Sequence, residues 1–131
     1  MQNYNNYSHK DYVESNKPEE EVLYNDWRLP TIKELLTLVD YSKCNPASTS
    51  YITSNCYWSS TTDASDTSLA WSVSFNDGYT NYYDKTYALY VLCVRDSEHG
   101  LQWSDDAPNK MKWNEAMKYV KNLVAPVRKD K

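Results

Sequence analysis

Apolar positions along this chain change period twice, and the changes divide it into a helix, a set of strands and a second helix. Ile32, Leu35, Leu36 and Val39 fall at helical spacing and predict an apolar face of about two turns. Thr31 followed three residues later by Glu34 predicts a capping box: the Thr hydroxyl takes the Glu34 N–H and the Glu carboxylate reaches back to the Thr31 N–H. That role, with a core face behind it, accounts for Glu34 better than catalysis does. Pro30 holds Leu29 extended, so the helix cannot begin earlier. Just upstream, Trp27 and Leu29 alternate with Arg28, as in a short strand with one buried face.

The period then drops to two. Residues 57–61 (Tyr-Trp-Ser-Ser-Thr) are strand-prone, and Leu69, Trp71, Val73 and Phe75 alternate strictly with small residues, which predicts a strand with those four in the core. Asn76-Asp77-Gly78 supplies a hairpin turn, 79–83 returns antiparallel, and 84–86 turns again. Residues 88–95 are apolar on both faces and read as a central strand. Residues 101–103 form a short strand and 104–112 a loop, after which Trp113, Ala116, Met117, Val120 and Leu123 mark one face of a second helix with Lys112, Lys118 and Lys121 on its solvated side. The connecting stretches are polar: a lead-in over 1–24 with room for a short helix over 8–14, a loop over 42–54 opened by Asn45-Pro46, and a basic tail from Ala125 expected to fray. The expected class is α+β, two helices packed on a twisted antiparallel sheet, with a single domain over 25–131 behind the lead-in.

Composition narrows the function. A chain of 131 residues is one domain by length, and its net charge of −4 leaves no basic footprint for a phosphate backbone, so nucleic acid is not an expected partner. Mean hydropathy is −0.83, yet 15% of residues are aromatic, including 13 Tyr and 5 Trp, which sets the chain apart from aromatic-poor disordered sequences. It has no apolar run long enough to cross a membrane and no signal-peptide pattern at its start, so neither membrane insertion nor self-directed export is expected. Three cysteines, Cys44, Cys56 and Cys93, allow one internal disulfide at most; Cys44–Cys56 is one option and free thiols are the other.

Chemistry is thin. His9 and His99 both lie in polar connecting segments without a nucleophile in a recognisable setting, so no catalytic residue is assigned. Asp63, Asp66, Asn76, Asp77, Asn81 and Asp84 are hard oxygen donors on loops and make calcium a candidate, against the simpler reading as solvated turn residues; no other cofactor is indicated. The better lead is aromatic. Tyr79, Tyr82, Tyr83 and Tyr87, interleaved with Asn81 and Asp84, give a hairpin whose composition suits a binding face, rigid rings among adaptable polar groups, and Trp58 is placed with them on neighbouring loops. Half of those rings could equally cover the sheet, since Tyr is a good strand residue.

Four ordered motifs carry a resemblance: Asp-Trp-Arg-Leu-Pro-Thr-x-x-Glu-Leu (26–35), Tyr-Trp-Ser-Ser-Thr (57–61), Ala-Trp-x-Val-x-Phe-x-x-Gly (70–78) and Tyr-Val-x-Cys-Val-Arg (90–95). Together they closely resemble the domain family named for the C-terminal part of the Lcl collagen-like adhesin, long catalogued as a bacterial domain of unknown function. The Arg-Leu-Pro-Thr element is also similar to a stretch of formylglycine-generating enzymes. The resemblance implies a C-type-lectin-like (formylglycine-generating-enzyme-like) fold and a cell-surface or extracellular setting. In that family the segment resembling 100–120 comes before the Trp-Arg-Leu-Pro motif, whereas here it follows; either the domain is circularly permuted or the chain holds one repeat and the opening of the next. Family members often carry a Cys where Val120 stands, pairing with the one matching Cys93, so that partner is missing here. The copper-holding cysteine pair of the related oxidases cannot be made by Cys93 alone. The expected function is therefore a non-enzymatic adhesion or binding module for a glycan or protein ligand. The alternative is a structural domain that self-associates as a homo-oligomer through the aromatic surface, and an oxidase relative ranks last.

Overall fold

The computed structural model describes residues 21–48 and 52–129, and the short helix considered over 8–14 lies outside them. Its elements run α1 (Ile32–Leu36), β1 (Cys56–Thr62), β2 (Leu69–Ser74), β3 (Tyr79–Asp84), β4 (Val94–Ser97), β5 (Gly100–Trp103) and α2 (Trp113–Lys121). This is an α+β chain with two helices and antiparallel sheets: β1, β2 and β3 in sequential order, and β4 paired with β5.

Strand alternation divides the core in two. Neighbouring residues of a strand point to opposite faces, so Tyr57 and Trp58 part company. Tyr57, Val73 and Phe75 gather with Leu35, Ile52 and Leu92 on one face, where α1 covers them. Trp58 and Ala70 gather on the other with Trp27, Leu29, Val91 and Cys93, where Ala116 and Val120 of α2 close the cluster.

The start of α1 follows from its sequence. Thr31 Oγ1 accepts the Glu34 N–H at 3.2 Å and Glu34 Oε1 accepts the Thr31 N–H at 2.9 Å. The helix is shorter than the apolar spacing predicts, ending at Leu36, because Val39 leaves it to bridge Ser48. Trp27 and Leu29 are buried on either side of Arg28, whose backbone pairs with Val94.

Strand β2 departs from its expected one-sided burial. Val73 and Phe75 are in the core, but Leu69 and Trp71 are only half-buried, while Ala70 and Ser72 on the opposite face are fully covered. A helix of five residues spans only about 7.5 Å, and Leu35 joins Tyr57, Val73 and Phe75, leaving Trp71 outside that cluster.

The run over 88–95 is central, as its two apolar faces predict, but regular pairing is confined to its end. Tyr90 exchanges hydrogen bonds with Cys56 and Trp58 on one side, Leu89 pairs with Met111 on the other, and Val94 pairs with Arg28.

Residues 100–129 are bound into this body by tryptophans. The Trp58 indole donates to the Met111 carbonyl at 2.8 Å, Trp113 to Ser59 at 3.0 Å and Trp27 to Ala125 at 3.1 Å. A buried indole needs such an acceptor, and each one fastens the C-terminal segment to the sheet or to the strand before α1. Trp103 packs on the Leu35 cluster, and Trp113 and Met117 on the Trp58 cluster. The tail does not fray as expected: Ala125 and Tyr24 exchange backbone hydrogen bonds at 2.9 and 3.0 Å, and the Arg128 N–H donates to Trp103. Tyr24, at the end of the expected loose lead-in, is thereby fixed, and the Arg95 guanidinium lies over its ring at 3.7 Å. Cys44, Cys56 and Cys93 are all free, so the Cys44–Cys56 bridge does not form.

Candidate binding surface

The 79–87 hairpin is held by its turns. Gly78 adopts φ +87°, and its N–H reaches the Ser74 carbonyl at 2.7 Å. Asp77 Oδ1 accepts the Tyr79 N–H at 3.1 Å, and at the far end Asp84 Oδ1 accepts both the backbone N–H and the hydroxyl of Thr86. Strand β3 is the last strand of its sheet and is exposed from Tyr79 through Tyr82.

The tyrosines do not form one surface. Register places Ala70 opposite Tyr83 and Trp71 opposite Tyr82, so Tyr79, Asn81 and Tyr83 share the face of the Trp58 cluster while Tyr82 and Asp84 share the other. On the first face Tyr83 is half-buried against the core and holds Tyr87 with ring centroids 5.6 Å apart. Tyr79 is 65% exposed and Tyr87 55%, so Tyr83 is a platform for Tyr87, and Tyr79 and Tyr87 are the available rings. Lys85 beside them lies 4.1 Å over the Trp113 ring, which ties this edge to α2. On the second face Tyr82, 54% exposed, meets Trp71 edge-on at 5.2 Å.

Trp58 does not belong to either set. It is fully buried with its indole N–H committed to Met111, so it supports the sheet from inside. Two aromatic residues beside the hairpin lie outside the expected binding set: Trp71, expected in the core, and Tyr41. A turn over 76–78 would have set residue 72 against 82; the observed loop takes in Phe75 as well, pairs Ser74 with Tyr79, and so brings Trp71 opposite Tyr82. Counting from the turn could not find Tyr41: its exposed ring reaches the turn at Gly78 from a separate loop.

The four aspartates among the candidate calcium donors are engaged in turns. Asp63 Oδ1 accepts from Ser65 N and Oγ, Asp66 Oδ1 from Ser68 N and Oγ, and Asp77 and Asp84 from Tyr79 and Thr86. These bonds hold the Asp66 and Asp84 carboxyls below the usual range. Among the described residues, no three of His, Cys, Asp and Glu converge as a metal site would require. His99 is exposed in the β4–β5 turn, beside Glu98, and His9 lies outside the described residues. Cys93 is buried, and that burial pushes its thiol up to about 12. Among the described residues no helix is long and apolar enough to cross a membrane.

No curated protein and no solved structure matches the chain. A family model does: the Lcl C-terminal domain, over residues 1–95, a span that takes in the Trp27–Leu29 corner, α1 and the whole tyrosine hairpin and stops just short of β5 and α2. The chain therefore belongs to the Lcl C-terminal domain family.

Proposed function

We propose that the chain is a non-enzymatic, cell-surface-type binding module of C-type-lectin-like architecture, which takes a glycan or protein ligand on the Tyr79–Asn81–Tyr87 face of its hairpin. One observation carries this reading: the exposed Tyr79 ring and the Asn81 amide project to the same side of an edge strand as the half-buried Tyr83, which braces the exposed Tyr87 ring. Rings held this way offer flat apolar area at little cost in lost rotamer freedom, and the amide beside them supplies both a donor and an acceptor for hydroxyls. The turn hydrogen bonds of Asp77 and Asp84 fix both ends of the strand before any ligand arrives, which reduces the ordering cost of binding. An acidic chain suits a neutral or cationic ligand better than a sulfated or phosphorylated one. An oxidase reading has less behind it, because Cys93 is enclosed and stands alone.

The test is a glycan array read with the full chain and with Tyr79→Ser/Tyr87→Ser, beside thermal melts of both. Binding that the double variant abolishes at unchanged melting temperature supports the site. Binding that survives the double variant, or is lost only together with stability, refutes it.

A further inference from the structure

The backbone of β3 has an open edge with a definite hydrogen-bond parity. The Lys85 N–H donates to Ser68 and the Asn81 carbonyl accepts from the Ser72 hydroxyl, so residues 81, 83 and 85 turn their backbone groups toward β2. Thr80 and Tyr82 then present theirs outward, and neither has a partner on that side among the described residues. The opposite edge of the sheet is closed, because Tyr90 exchanges hydrogen bonds with β1. Natural edge strands are usually blunted by Lys, Pro or a bulge. Tyr-Thr-Asn-Tyr-Tyr-Asp has no Lys, Pro or Gly, and the sheet's irregularity lies in β1, between Trp58 and Thr62. Such a segment has the composition of strands that pair with another chain.

We infer that this edge pairs with the β3 of a second copy of the chain, antiparallel and two-fold symmetric about Tyr82. The occupant is a second copy because the edge is complementary to itself. A two-fold axis perpendicular to the sheet keeps each face on its own side, so residues set opposite one another must share parity. Centring on Tyr82 matches outward-pointing groups to each other and sets Asp84 opposite Thr80 of the second copy, with no like charges opposed. It also places the two Tyr82 rings side by side, which extends each Trp71–Tyr82 contact into a row of four aromatic rings. With the other sheet edge closed, this pairing stops at two copies. The inference does not rest on the ligand reading, which uses the opposite face of β3; a dimer would carry that face twice.

The experiment is sedimentation of the full chain over a concentration series without ligand, alongside Tyr82→Lys. In parallel, Tyr82→Cys and Asn81→Cys are each oxidised in a Cys44→Ser background and run on non-reducing gels. The expected result is a monomer–dimer equilibrium, a dissociation constant raised about tenfold or more by Tyr82→Lys in a chain that still melts cooperatively, and a covalent dimer through position 82. A chain that stays monomeric throughout, a dimer indifferent to Tyr82→Lys, or covalent trapping through position 81 in place of 82 overturns the proposal.

Discussion

Arg28 and Glu34 form a forked ion pair, with both N–O distances at 2.6 Å, and the same carboxylate closes the α1 capping box. Asp96 adds a third contact to Arg28 at 3.1 Å, which joins the strand before α1 to β4. The Arg28 guanidinium first, and the Thr31 N–H after it, hold the Glu34 carboxyl down at about 2. A group whose folded pKa is depressed contributes stability above its unfolded value and loses it as the pH falls. The contribution of Glu34 is therefore complete above its ordinary value of 4.5 and fades as pH falls toward 2. Both side chains keep some solvent contact, so Glu34→Gln should cost about 1–2 kcal/mol at neutral pH rather than the full linkage value. Chemical denaturation of both proteins from neutral to strongly acid pH should show the gap closing; a gap independent of pH would remove the ion pair from the account.

Asp106 titrates in the opposite sense. Tyr57 donates its hydroxyl to Asp106 Oδ2 at 2.7 Å, while Oδ1 is enclosed without a hydrogen-bond partner. Burial raises this carboxyl above its ordinary value, against the Tyr57 hydrogen bond and the nearby Arg128 charge. A raised folded pKa means stability that is present below the unfolded value and lost as pH climbs through the folded one. Asp106→Asn keeps an acceptor for Tyr57 and removes the titration, so its stability should fall less than that of the parent as pH rises from the ordinary Asp range toward neutrality. Parallel slopes for the two proteins would contradict the assignment.

Gly78 is a turn position with no room for a side chain. A Cβ there would sit 2.8 Å from Val39 Cγ1 at φ +87°. Gly78→Ala should cost roughly 1–3 kcal/mol through strain and displacement of Val39. Asn76→Ala, two residues before it and exposed, should stay within about 0.5 kcal/mol. Equal melting temperatures for the two variants would show that the loop yields freely.

Ala116 of α2 is fully buried in the Trp58 cluster although it lies beyond the family match. Ala116→Asp places an unpaired carboxylate there and should cost roughly 3 kcal/mol or more, with loss of the cooperative transition the expected outcome. A melt unchanged from the parent would mean that residues 100–129 are an appended opening of another repeat rather than part of this core.

Local chemistry made several features legible in the sequence. The Thr31–Glu34 box, the Gly78 turn, the return strand expected over 79–83 and the α2 face rest on contacts a few residues apart or on a single period, and they form as those signals require. The burial of Trp27 and Leu29 around Arg28 was equally readable from alternation. Family membership was carried by four motifs within one stretch of the chain, and the family match covers that stretch.

What tertiary structure alone decided is which side of each element meets a partner. Alternation says that Trp71 and Tyr82 differ in face from Ala70 and Tyr83, but not that α1 is too short to cover Trp71. It says nothing of Tyr24 and Ala125, which lie about a hundred residues apart yet exchange hydrogen bonds and hold down a tail that composition alone marks as free. Aromatic composition placed Trp58 among the surface rings, whereas a carbonyl at Met111 draws its indole inward. Sequence sets the period of each segment, because period depends only on backbone geometry. The burial of a face depends on what distant chain arrives to cover it, and that is settled only when the two helices reach opposite sides of the sheet.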